Sequence, residues 1–280
     1  MQAEILVSSF YHFLQFPDAE LEQQRASIED CARAESLQGL VILATEGING
    51  TVAGPTEGVE RFVRYLQAQF SIPVSRFKES VAGFQPYKRL KVKLRDEIVT
   101  TGDWGSMPSC EKYRHLAPKE WHEMLKCEDV IVLDGRNVYE TAVGTFKNAV
   151  VPPIKHFSEF ANYIRDSAIP KDKKVLMYCT GGIRCEKALH EMERQGYTEV
   201  YQLDGGILRY LAEFPNQHFV GECFVFDHRV ALDQNLQTTQ KLVLCSLCGQ
   251  PVEKEVVEGR IDADFNPQAL QTKLCACYDG

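Results

Sequence analysis

Apolar and polar positions alternate over Glu4 to Phe13 and again form an apolar run from Gly39 to Thr45, which predicts two strands. Between them, Asp18 to Ser36 reads as a helix with Asp18 as N-cap. Asn49-Gly50 lies between two short β-like runs and predicts a type I′ hairpin turn, because that turn needs positive φ at both central residues. A second helix follows at Thr56 to Phe70, where Val59, Phe62, Val63, Leu66 and Phe70 repeat at helical spacing, and another strand begins near Pro73. The order β-α-β-β-α-β over residues 1–97 is that of a ferredoxin-like, or acylphosphatase-like, α+β domain.

After a connector at residues 98–117, the pattern changes to alternating strands and helices over residues 118–219. Helix Pro118 to Leu125, strand Val130 to Asp134, helix Val138 to Val143, strand Asn148 to Val151 and helix Ser158 to Ser167 come first. Strand Lys173 to Tyr178, helix Ile183 to Gln195 and strand Glu199 to Leu203 complete a mostly parallel α/β sheet. Sites in such sheets form outside the carboxyl ends of the strands. Residues 220–280 are a Cys-rich segment too small to fold unaided.

With 280 residues the chain has room for two or three domains and an ample core. A net charge of −8 argues against indiscriminate nucleic-acid binding, DNA included, while leaving room for a local basic surface. No apolar run approaches the roughly 20 residues of a membrane span, and Glu4 stands where a signal peptide would be basic. The expectation is a cytoplasmic protein whose ten cysteines are reactive or metal-bound thiols rather than disulfides. Neither Gly-x-Gly-x-x-Gly nor a P-loop occurs, and none of the seven histidines begins a His-x-Asp or His-x-Glu pair, so a nucleotide-fold cofactor and a facial-triad iron site are unsupported.

The chemistry concentrates at Lys173 to Ala188, where an apolar strand delivers Cys179 into the loop Thr180-Gly181-Gly182-Ile183 ahead of a helix. Loop amides and the positive end of the helix dipole favour thiolate over thiol there. Arg184 follows Cys179 by five positions, giving Cys-x4-Arg, one residue tighter than the Cys-x5-Arg cradle of cysteine phosphatases and better suited to a sulfur-sized adduct. The loop resembles that of rhodaneses, the persulfide-forming sulfurtransferases. Asp134-Gly135-Arg136 with Gly144-Thr145-Phe146, and Leu203-Asp204-Gly205-Gly206-Ile207, resemble two further rhodanese segments. Cys179 and Arg184 are the catalytic candidates, and Cys185 is either a resolving thiol or a packed first-turn residue.

Two other clusters carry chemistry. Cys245-Ser246-Leu247-Cys248-Gly249 resembles half of a zinc knuckle whose partners would be Cys275 and Cys277. The alternatives there are reduced thiols, a redox pair or a site completed by His218 or His228, and Cys223 reads as a core residue. In Lys88 to Arg95, strand alternation puts Arg89, Lys91, Lys93 and Arg95 on one face, with Lys88, Arg76 and Lys78 nearby. That face is either a solvated strand surface or an RNA backbone track, and Tyr87 or Phe84 either stacks a base or packs in the core.

Taken in order, Glu46 to Gly54, Arg89 to Thr100, Cys179 to Ala188, Gly205-Gly206-Ile207 and Gly221 to Asp227 resemble the TrhO family (UPF0176) of rhodanese-related tRNA uridine hydroxylases over nearly the whole length. The resemblance implies oxygen-dependent hydroxylation at C5 of wobble uridine 34, with the tRNA anticodon loop and molecular oxygen as partners. It also implies that Cys179 is the persulfide-type catalytic cysteine. It names no oxygen-activating cofactor, and structural zinc is the one metal the residues point to. Two rival readings keep the same loop: a sulfurtransferase carrying a persulfide on Cys179, and a noncatalytic rhodanese-like scaffold. Gly135, where rhodaneses usually carry a bulkier residue, and the single-residue spacing of Cys275 and Cys277 depart from the usual patterns.

Overall fold

The computed structural model of the chain describes residues 4–105 and 114–255. The N-terminal part runs β1 (Ile5–Phe13), α1 (Leu21–Ala34), β2 (Gln38–Ala44), β3 (Gly47–Gly54), α2 (Thr56–Phe70), β4 (Lys78–Ala82) and β5 (Leu90–Leu94). Its sheet has the order β4-β1-β3-β2-β5, the ferredoxin-like arrangement extended by a parallel edge strand, β5. Phe10, Val41, Leu43, Ile48, Val52 and Val92 point to one face and bury against Ile28 of α1 and Phe62 and Leu66 of α2. The opposite face is more polar. Lys91, Leu40, Thr51, Ser9 and Lys78 lie side by side across it, and Lys93, Ile42, Asn49 and Tyr11 form the next row.

Three local expectations are corrected here. Asn49-Gly50 sits inside β3; the β2–β3 hairpin turns at Thr45-Glu46, between the paired residues Ala44 and Gly47. Tertiary contacts overrule the turn code: a Cβ on Gly50 would meet the Leu40 carbonyl oxygen at 2.9 Å, and Asn49 Nδ2 donates to the Ile98 carbonyl at 2.9 Å. Asp18 opens a short 3-10 turn rather than capping α1, and Val74–Arg76 form another such turn, so the strand expected near Pro73 starts at Lys78.

The second part comprises β6 (Arg114–Leu116), α3 (Pro118–Met124), β7 (Val130–Asp134), α4 (Val138–Thr141), β8 (Gly144–Phe146), α5 (Phe160–Asp166), β9 (Lys174–Tyr178), α6 (Ile183–Arg194), β10 (Glu199–Leu203) and α7 (Gly206–Glu213). Strands β6-β10-β9-β7 form a parallel sheet in that order, so the end of the expected connector supplies its edge strand. Val175 and Met177 bury against α5 and α6, whereas Leu176 and Tyr178 face Trp121 of α3 and Ile207 and Tyr210 of α7. The expected strand at Asn148 to Val151 is reduced to an isolated bridge, Leu133 to Val150; β8 forms instead and pairs with β11 (Phe219–Gly221).

Beyond β11 come β12 (Cys223–Phe224) with β13 (Ala231–Leu232), and β14 (Leu242–Leu244) with β15 (Pro251–Glu253). Cys223 is fully buried beside Phe146, Tyr178 and Phe219, as core packing requires. Arg229 Nη1 donates to Ser80 Oγ at 2.8 Å and the His228 amide to the Pro86 carbonyl at 3.1 Å, so this segment also touches the N-terminal sheet.

Candidate active site

Strand β9 ends at Tyr178 and α6 starts at Ile183, leaving Cys179 to Gly182 as the loop at the carboxyl edge of the parallel sheet. Gly182 adopts φ +104°, a conformation that glycine tolerates, and its amide donates to Cys179 Sγ at 3.1 Å. Gly205 and Gly206 explain the last motif of the sequence. Both have positive φ, and a Cβ on Gly206 would meet the Cys179 carbonyl oxygen at 2.5 Å. That close approach lets the amides of Ile207 and Leu208 donate to the carbonyls of Cys179 and Thr180 at 3.0 and 3.2 Å, clamping the loop from α7.

Cys179 is only 1 % exposed, yet it lines a cavity of about 650 Å³ together with Thr180, Gly181, Ile183 and Arg184. Burial pushes its thiol up, but the Cys185 hydrogen bond, the Arg184 guanidinium and the amides of Arg184 and Gly182 outweigh that and bring it down to about 5. Cys185 moves the opposite way: burial, and then its hydrogen bond to Cys179, push it well above the usual thiol range. The second thiol therefore stays protonated and donates to the first.

Arg184 is committed to a buried fork. Its Nη1 and Nη2 donate to Glu140 Oε2 and Oε1 at 2.6 and 2.7 Å, and its guanidinium carbon lies 5.8 Å from the Phe226 ring centroid. It acts on the sulfur through its charge. The Asp134–Arg136 pair is a separate, fully buried brace, with Tyr178 Oη and Thr145 Oγ1 donating to Asp134 Oδ2 at 2.7 and 2.9 Å. Gly135 packs closely on its neighbour: a Cβ there would sit 2.4 Å from Met177 Cε and displace that methyl group.

The facing wall of the cavity is the polar face of the N-terminal sheet, contributing Ser9, Tyr11, Asn49, Thr51 and Lys78, with Phe226 at 60 % exposure on the rim. Sequence reasoning placed Lys78 in a basic cluster and missed its half-buried position on the wall of this cavity. Lys78 Nζ donates to the Arg76 carbonyl at 2.8 Å and lies 4.5 Å from the centroid of the Tyr11 ring. Burial, then the nearby Arg76, bring its ammonium down to about 7. Tyr11 Oη donates to Glu186 Oε1 at 2.9 Å, Arg76 Nη1 donates there at 2.8 Å, and His115 Nε2 lies 3.2 Å away. Burial raises Glu186, and His115, Arg76 and Tyr11 more than reverse this, holding its carboxyl at about 2. Glu186 lies in the Cys179–Ala188 motif and Glu140 follows the Asp134–Arg136 segment, but neither reads as a site residue in the sequence, because their partners are revealed only by spatial proximity.

Among the RNA-binding candidates, Lys88, Arg89, Lys91 and Arg95 are exposed and Lys93 is half-buried. Lys91 and Lys93 stand on the same sheet face as Ser9, Lys78 and Tyr11, two strands from the cavity wall they form. Cys245 and Cys248 occupy the β14–β15 turn, where the Leu247 amide donates to Cys245 Sγ at 3.4 Å and Gly249 takes φ +72°. Cys275 and Cys277 lie outside the described residues. Among the described residues, no group of three or more His, Cys, Asp or Glu is placed to hold a metal, and no helix is long and apolar enough to cross a membrane. His218 packs against His122 with ring centroids 4.8 Å apart, and His228 follows Asp227 on the C-terminal segment.

Comparison with known proteins agrees with this architecture. The family model described as UPF0176 acylphosphatase like domain matches residues 5–98, and the rhodanese-like domain model matches residues 117–213. A tRNA uridine(34) hydroxylase of Bdellovibrio bacteriovorus is 48% identical over 92% of this chain and 73% of its own length. Proteins of the same name from Picosynechococcus sp. and Rhizobium leguminosarum are each 42% identical, over 90% and 98% of this chain and 85% and 87% of their own. Two domain models in this order, with such identity over most of both chains, place this chain in the tRNA uridine(34) hydroxylase family.

Proposed function

We propose that the chain hydroxylates uridine 34 of tRNA at C5, with Cys179 as the covalent nucleophile and molecular oxygen as the oxidant. The observation that carries this reading is that one cavity joins an ionised thiol from the rhodanese-like part to the polar sheet face that also bears Lys91 and Lys93. A cavity of about 650 Å³ lies within the roughly 300–1,000 Å³ typical of small-ligand sites, enough for a single base turned out of the anticodon loop. The basic face, with Lys88, Arg89 and Arg95 beside it, takes the phosphate backbone, and Phe226 at the rim offers a stacking surface.

In this reading the thiolate adds to C6 of the uracil, and the C5=C6 electron pair moves toward O4, making C5 nucleophilic. Arg184, whose donors are taken up by Glu140, holds the sulfur ionised through its charge rather than gripping the substrate. In the same reading Cys245 and Cys248, completed by Cys275 and Cys277, would hold a structural zinc ion. The test is nucleoside analysis of tRNA incubated with the wild-type protein under air and under nitrogen, and with Cys179→Ser under air. Product from the wild type in air alone is expected. Undiminished 5-hydroxyuridine from Cys179→Ser would exclude the covalent role.

A further inference from the structure

We propose that Lys78 is the proton-transfer residue of this reaction, giving a proton to O4 of the uracil as Cys179 adds to C6 and then taking the hydrogen from C5. The inference rests on the hydroxylase reading above and concerns a residue that no motif marks. Lys78 is half-buried on the cavity wall, and an ammonium drawn partly off bulk water is unfavourable unless something compensates it; here the compensation is thin. Among the described residues its partners are one carbonyl, that of Arg76, and the face of the Tyr11 ring. An ammonium has three donors, so the Arg76 carbonyl leaves hydrogen-bonding capacity unused on the cavity wall facing Cys179.

The surrounding charges support two protonation states. Burial lowers the ammonium most and Arg76 lowers it further, while Asp204, Cys179 and Glu186 oppose them, and the outcome is about 7. A group that both gives and takes a proton works best when both forms are populated at the working pH. Ser9 and Thr51, its neighbours in the same cross-strand row, hydrogen-bond each other at 2.8 Å. Of the residues in that row that line the cavity, Lys78 is the one that carries a titratable proton.

The steps balance without any oxidant. The Cys179 Sγ–C6 bond forms, the C5=C6 pair shifts through C4 to O4, and Lys78 loses its proton to O4, leaving a neutral amine and an enol. In heavy water C5 takes a deuteron as the enol reverts, and O4 releases its proton to solvent, so the amine stays neutral. The amine then removes the original hydrogen from C5 as a proton, the C5=C6 bond re-forms and thiolate leaves, so the net change is exchange of C5–H for C5–D. Hydroxylation at C5 requires the same two proton transfers, onto O4 on addition and off C5 on elimination.

The experiment follows deuterium at C5 of uridine 34 in tRNA held with the full-length protein in heavy water under nitrogen, and 5-hydroxyuridine formation under air. Lys78→Met and Lys78→Arg are compared with the wild type, with Cys179 alkylation by iodoacetamide as the control for an intact loop. Both variants are expected to lose about 100-fold or more in exchange and in hydroxylation while alkylating normally. Wild-type exchange should fall below about pH 5, as thiolate is lost, and above about pH 7, as ammonium is lost. Recovery of exchange in Lys78→Arg to within about threefold of the wild type would mean that a fixed charge suffices and would overturn the proposal. Loss of alkylation together with exchange in both variants would assign Lys78 a structural role and overturn it too. A wild-type protein that forms neither product removes the hydroxylase reading as well, whereas variants matching a fully active wild type remove this inference alone.

Discussion

Cys179 combines near-complete burial with ionisation, and its neighbours supply the reason. Desolvation works against the thiolate, so the Cys185 thiol, the Arg184 charge and two loop amides together must overcome the penalty of burial. Iodoacetamide alkylation of Cys179 should therefore show a midpoint near pH 5, against about 8.5 for an ordinary thiol. A midpoint above 8 would mean that this network does not hold the charge. The strand-loop-helix context and the Cys-x4-Arg spacing were legible in the chain. Glu140 was not, because its distance of 44 positions from Arg184 is closed only by the fold. Cys185, read as either a resolving or a packed thiol, is buried and hydrogen-bonds to Cys179, which is compatible with both readings.

Among the elements, β5 shows how a pattern acquires meaning from its neighbours. Period-two alternation put its lysines on one face, but a solvated edge and an RNA track look the same in one dimension. Pairing with β2 sets Lys91 and Lys93 in line with the residues that wall the cavity. Charge reversal of both lysines should weaken tRNA binding and flatten its salt dependence, each lost phosphate contact lowering the slope by about 1. Filter binding at several salt concentrations measures this, and an unchanged slope would return β5 to a solvated edge. Asn49-Gly50 teaches the converse: a strong local turn signal yields when Gly50 must pass close to the Leu40 carbonyl and Asn49 must hold the Ile98 carbonyl. The helix at Thr56–Phe70 matches its expected bounds because five apolar positions on one stripe leave no competing arrangement.

For the whole molecule, the junction of the two parts creates the site and also carries a pH signature. Tyr11 and Arg76 from the N-terminal part meet His115 and Glu186 from the rhodanese-like part, while Lys187 donates to Glu97 at 2.8 Å and pairs with Glu46 at the same distance. Glu186 is depressed to about 2 in the folded protein against about 4.3 unfolded, so its contribution is fully present above the unfolded value and is lost as pH falls toward 2. Glu186→Gln should lower the neutral-pH denaturation midpoint and make stability less sensitive to acid between about pH 4 and 2, as read by urea titration. An unchanged acid slope would place that sensitivity elsewhere. What the sequence determined by itself was local: the two domain types, the cysteine loop and the basic strand, because hydrophobic period, glycine placement and residue spacing act over a few neighbouring positions. Only the tertiary structure decided which of those pieces share a cavity, that Lys78 and Tyr11 face Cys179, and that Glu140 and Glu186 anchor the two ends of its environment. Burial and charge pairing depend on distances in space, and residues scores of positions apart set them.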